Sequence, residues 1–106
     1  LNHNTVSIEI CSTCVPATNT AVSYSNHDGW SFTEAALNNA VKLTKILMNK
    51  LNIDKDHVVR HYDITGKLCP GIIGWNNSHE VYDKTGKRIS GRVNNSTEWE
   101  KFKARL

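Results

Sequence analysis

No stretch of the chain approaches the roughly 20 consecutive apolar residues that a membrane-spanning helix needs, so none of it reads as a helical span. The opening Leu1-Asn2-His3-Asn4 lacks the basic and apolar regions of a signal peptide, and no Met begins it, which leads us to expect a processed or trimmed start. Cysteine is scarce: with three thiols, complete pairing within one chain is impossible. That argues against a disulfide scaffold and leaves at least one thiol free or on a metal. Cys11-Ser12-Thr13-Cys14 is a lone C-x-x-C, with no second such pair to complete a four-cysteine zinc site of the usual spacing. A dense basic patch is also missing. The net charge of +3 is spread over Lys42, Lys45 and Lys50 in one segment and Lys84, Lys87, Arg88 and Arg92 in another. Nucleic-acid binders concentrate such charge and interleave stacking aromatics, so no nucleic acid is expected as a partner. Internal repeats and low-complexity linkers are absent, and 106 residues suffice for one domain but not two.

What is present is patterned like a packed domain, with 39% hydrophobic residues. Asn4–Cys11 (NTVSIEIC) is rich in β-branched residues and partly alternating, and predicts a strand with Val6, Ile8 and Ile10 on its core face. Glu9 stands on the opposite face. A long polar loop follows from Ser12 to Gly29; loops of that length in compact domains are often functional. Ser31 and Glu34 have capping-box spacing. Beyond them Leu37, Ala40, Val41, Thr44, Leu47, Met48 and Leu51 recur every three or four residues, predicting a helix over 32–52. Leu43 and Ile46 widen its apolar stripe, which suits packing on a sheet. Val58-Val59 reads as a second short strand, 65–71 as a loop, and Glu80–Ile89 as a hairpin around Lys84-Thr85-Gly86. Thr97–Leu106 reads as a closing helix capped by Ser96, with Trp99, Phe102 and Leu106 buried.

The chemistry concentrates in His61-Tyr62-Asp63-Ile64-Thr65-Gly66-Lys67-Leu68-Cys69-Pro70. Imidazole and thiolate are both good zinc ligands, and a loop containing Gly66 can fold back to aim both at one ion. A local set of Cys11, Cys14, His61 and Cys69 has the ligand count of a structural site, and remains open on composition alone. Redox use of the C-x-x-C is disfavoured, because the pair should precede a helix directly and the next one starts about residue 32.

The segment HYDITGKLCPG resembles the signature of the zinc-dependent N-acetylmuramoyl-L-alanine amidases, a family that includes phage endolysins, bacterial autolysins and peptidoglycan recognition proteins. NTVSIEIC resembles the family's strand, with Ser7 where Gly is usual, and Trp99-Glu100-Lys101-Phe102-Lys103 resembles its closing helix. The resemblance implies an α/β fold, amidase-2-like, with a mixed central sheet flanked by helices. It implies that 1–106 is the C-terminal portion of a single catalytic domain whose N-terminal part is missing, and that 77–95 is an insertion. It implies Zn²⁺ as cofactor, with His61 and Cys69 as the second and third ligands. Lys67 would stabilise the oxyanion, and Glu9 would be the general base. The first ligand, a His on an earlier strand, would precede residue 1, and His3 or His27 could substitute. The implied reaction is hydrolysis of the amide between N-acetylmuramic acid and L-alanine, where zinc activates water and polarises the carbonyl. Mild basicity suits work near an anionic cell wall, and the implied location is secreted or released to the bacterial wall.

Further readings are attached to single residues. Trp75, Tyr24 and His27 are candidates to line a substrate groove, with core packing the plainer reading of Trp75 and of Trp30. Asp63 orients the His61 loop. His3, His27, His57 and His79 read most plainly as surface histidines. Two other functions remain: a non-catalytic peptidoglycan-binding module of the same fold, and a fragment that docks on a complete amidase. Loss of a central strand would expose sheet edge and apolar surface, so the chain is expected to self-associate or to pair with a chain carrying the missing segment. Sedimentation velocity of the purified chain should show a species heavier than the 11.9 kDa monomer; a clean monomer would contradict this.

Overall fold

The computed structural model describes residues 4–14, 30–67, 69–70, 72, 74–82 and 88–106. Its elements are β1 (Thr13–Cys14), β2 (Trp30–Ser31), α1 (Glu34–Leu51), a 3₁₀ turn (Lys55–His57), α2 (His61–Thr65), β3 (Asn76–Tyr82), β4 (Arg88–Asn95) and α3 (Thr97–Ala104). None of the described helices is long and apolar enough to cross a membrane.

Helix α1 forms where the 3.6-residue periodicity places it, and Ala40, Val41 and Thr44 are its buried residues. Its start differs from the expected Ser31 cap. Ser31 belongs to β2, paired with Thr13, and its hydroxyl lies 3.4 Å from the Thr13 hydroxyl. The cap passes to Thr33, whose Oγ1 accepts the Ala36 amide at 3.1 Å. The helix ends at Asn52, whose left-handed backbone (φ 54°) sends its amide to the Met48 carbonyl. Thr44 is buried without penalty because its hydroxyl donates to the Ala40 carbonyl at 2.7 Å.

The expected mixed central sheet is not what these residues build. The described strands form two separate antiparallel pairs, β1 with β2 and β3 with β4, and the core is gathered by helices instead. Asn4–Cys11 forms no ladder: Val6 is 58% exposed, and of its three expected core residues only Ile10 packs on the core. Leu43 and Ile46, read as a sheet-facing extension of the stripe, are 45% and 48% exposed. Val58-Val59 is no strand either. Asp54 accepts the His57 amide through its side chain, and Asp63 accepts the Arg60 amide at 2.8 Å. These local caps turn the chain twice within ten residues and override the β-branched preference, which counts only where a neighbouring strand is available.

The expected hairpin is present, but longer, over β3 and β4 with irregular register; Asn76 pairs with Asn95 and Glu80 with Arg92. Its expected turn lies outside the described residues. The closing helix is present as α3. Ser96 is its N-cap but makes no side-chain cap bond. The amide of Trp99, three residues in, donates to the Gly74 carbonyl at 3.0 Å instead. Gly74 has φ of 93°, and a Cβ there would meet Glu98 Cγ at 2.5 Å, so the close approach that makes this cap requires glycine.

The core is Ala40 and Val41 from α1, Ile72 and Trp75 from the turn before β3, and Phe102 from α3, with Ile10, Phe32, Leu37, Trp99 and Leu106 packed on it. Trp75 is its centre. Phe32 meets it edge-on with ring centroids 5.1 Å apart, Phe102 lies at 5.5 Å and Trp99 at 6.0 Å. Aromatic clusters of this kind add to area burial through their quadrupoles. Phe102→Ala would empty the contact between α3 and Trp75 and is expected to cost about 3–5 kcal/mol. Urea unfolding should show this loss, and a loss below about 1 kcal/mol would mean the cluster does not hold the fold.

Candidate functional site

The site begins at a buried cation. Arg60 is 8% exposed, and a buried charge must be paired and hydrogen-bonded. Its Nε donates to Asp63 Oδ2 at 2.9 Å and its Nη2 to Asp63 Oδ1, a two-pronged carboxylate contact. Its Nη1 donates to the Trp75 carbonyl at 2.8 Å. The guanidinium carbon lies 5.2 Å from the ring centroids of both Tyr62 and Trp99. The Arg60 hydrogen bonds hold the Asp63 carboxyl below its ordinary 3.8, against the opposing effect of partial burial. Asp63 also accepts the Arg60 amide, so the pair closes the first turn of α2 reciprocally.

His61 is the first residue of that turn, and its side chain is exposed. Helix α2 stops after five residues because Gly66 takes φ of 78° and returns its amide to Tyr62 O at 2.9 Å. The chain then doubles back. The Tyr62 amide reaches the Cys69 carbonyl at 3.4 Å, so the half-buried Cys69 sits against the residue next to His61. The fold-back expected from Gly66 is therefore formed. His61 heads a short helix rather than ending a strand, because the Arg60–Asp63 cap starts a turn there. Lys67 is exposed on the returning loop, with its amide on Thr65 Oγ1 at 3.3 Å.

Other expected residues fall elsewhere. Glu9 is exposed, and no hydrogen bond or ion pair among the described residues joins it to His61, Lys67 or Cys69. Trp75 is 4% exposed at the centre of the core. Its expected groove role is corrected accordingly, since a ring enclosed by three others has no face for a ligand. Tyr24, His27 and His3 lie outside the described residues. Cys11 and Cys69 are free thiols. Among the described residues no three His, Cys, Asp or Glu side chains group closely enough to hold a metal, so Cys11 does not join His61 and Cys69. A catalytic zinc takes three protein ligands. The fit is thus partial: two donors of the right chemistry on one fold-back, and no third beside them among the described residues.

Arg60 is the residue that reading the sequence overlooked. Its signal was the Arg-x-x-Asp spacing across His61, which places a cation and a carboxylate one helical turn apart.

The family model for N-acetylmuramoyl-L-alanine amidase matches residues 1–72. The chain belongs to this family. The match contains Glu9, His61, Lys67 and Cys69 and stops before Trp75, the hairpin and α3. No curated protein and no solved structure matches the chain. Arg60, inside the matched region, is held by Trp75 and Trp99 outside it, so this amidase-family segment leans on the following residues for its local geometry.

His57 behaves as the expected surface histidine. Its Nδ1 lies 2.7 Å from Asp54 Oδ1, and that hydrogen bond raises its pKa above 6.5. A raised folded-state pKa contributes stability that is complete below the unfolded value and fades as pH rises through the folded one. The pair is exposed, so the effect on stability is small. A proton NMR titration should find His57 titrating above 6.5, and Asp54→Asn should bring it back down. An unchanged midpoint in the variant would refute the pairing.

Proposed function

We propose that this amidase-family chain acts on peptidoglycan at the bacterial cell wall, in cleavage of the amide between N-acetylmuramic acid and L-alanine, with His61 and Cys69 as two ligands of a zinc ion. The supporting observation is the return of the loop after α2, which puts the Cys69 backbone in hydrogen-bond reach of the residue beside His61. Zinc would supply Lewis acidity toward the scissile carbonyl and activation of water. The third ligand would come from outside the described residues, or from a partner chain.

The chain's own residues have distinct parts in this reading. His61 is exposed, and among the described residues no hydrogen bond or ion pair takes up its imidazole. Cys69 is half-buried and would supply sulfur as the second donor. Lys67, exposed two residues before Cys69, would stabilise a developing oxyanion. Glu9 would take the proton from water and return it to the leaving amine, and Tyr24 and His27 would contact the muropeptide. A second reading, a non-catalytic peptidoglycan-binding module, is favoured by one observation: the described donors number two where a catalytic site needs three.

Elemental analysis of the purified chain, beside His61→Ala and Cys69→Ser, separates the two. Near one zinc per chain, lost in both variants, with release of L-alanine-terminated peptide from muropeptides, supports the enzyme. Absence of zinc from the wild-type chain together with retained muropeptide binding supports the module.

A further inference from the structure

We infer that Arg60 is a positioning residue for the metal-ligand segment, coupling His61 to the aromatic core through its fork on Asp63; the zinc part of this inference rests on the function proposed above. Arg60 grips both residues that follow His61, Tyr62 through its ring and Asp63 through its carboxylate, while leaving the His61 side chain untouched. The residue before His61 and the two after it are thereby fixed, so the Cα–Cβ direction of His61 is set without any bond to the imidazole.

The same guanidinium is anchored from the other side by the Trp75 carbonyl and the Trp99 ring. Lys103 of α3 reinforces that side: its ammonium donates to the Lys55 and Val58 carbonyls just before Arg60 and lies 5.6 Å from the Trp99 ring centroid. Cys69 shares the platform through its carbonyl on the Tyr62 amide. One buried cation therefore sets the mutual placement of both donors. A planar fork does this in a way an ammonium does not, because two parallel bonds fix orientation where one point charge fixes only distance.

The test compares Arg60→Lys with Val41→Ala, a core variant on α1 that alters none of the groups holding Arg60. In the metal-free chain, ¹⁵N relaxation should give backbone order parameters for His61–Thr65 near the rigid value of about 0.85, falling toward about 0.6 in Arg60→Lys and not in Val41→Ala. Zinc affinity, read by competition with a chromophoric chelator, should fall by about tenfold or more in Arg60→Lys and stay within about twofold in Val41→Ala. Equal effects of the two variants would make Arg60 merely structural and overturn the inference, as would unchanged order in Arg60→Lys. If the wild-type chain binds no zinc while the order parameters fall as stated, the positioning role stands and the zinc reading is the one that fails.

Discussion

A guanidinium buried at 8% exposure is the constraint on which the local architecture turns. Removing such a charge from water costs several kcal/mol unless its donors are satisfied. Arg60 meets that requirement by drawing together three parts of the chain: Asp63 in the next turn, the Trp75 carbonyl before β3, and Trp99 on α3. The aromatic cluster of Phe32, Trp75, Trp99 and Phe102 then has a polar seam along one side and an apolar contact with α1 on the other. Helix α2 is only five residues long, too short to persist by its own hydrogen bonds. It exists because the Arg60–Asp63 pair caps it and Gly66 closes it.

This arrangement bears on chemistry through what it leaves free. Arg60, Tyr62 and Asp63 beside His61 are all engaged, and among the described residues no hydrogen bond or ion pair takes up the imidazole. The doubled-back loop brings the Cys69 carbonyl to the Tyr62 amide, and Lys67 is exposed on that loop. The amidase-family match covers these residues, while the groups that steady them, Trp75 and α3, come after it. Candidate chemistry and its support thus lie in successive stretches of one chain.

Helix α1 was legible because a helix of 18 residues carries its own periodic signal. Its start was misread by two residues, since Ser31 is as good a cap as Thr33 until one knows that Ser31 pairs with Thr13. The strands read at Asn4–Cys11 and Val58-Val59 failed for a common reason. Strand propensity expresses fit to a neighbouring strand, and a sequence does not show whether that neighbour is there. The backbone fold-back that sets Cys69 against Tyr62 was legible from Gly66, whose positive φ ends the helix. Trp75 was ambiguous because a tryptophan after a ligand loop suits a groove and a core equally by composition. Glu9 was assigned by likeness to the family, and no described contact links it to the ligand segment; Tyr24 and His27 were read from their place in the long polar loop, which lies outside the described residues.

The central claim is that Arg60 and Asp63 act as one unit that shapes the segment bearing His61. A double-mutant cycle with Arg60→Met, Asp63→Asn and the double variant, read by urea unfolding at neutral pH, tests it most directly. The account predicts that the double variant loses less stability than the two single losses combined, by a coupling of about 1 kcal/mol or more. Losses that simply add would contradict it, because each side chain would then be acting through other partners.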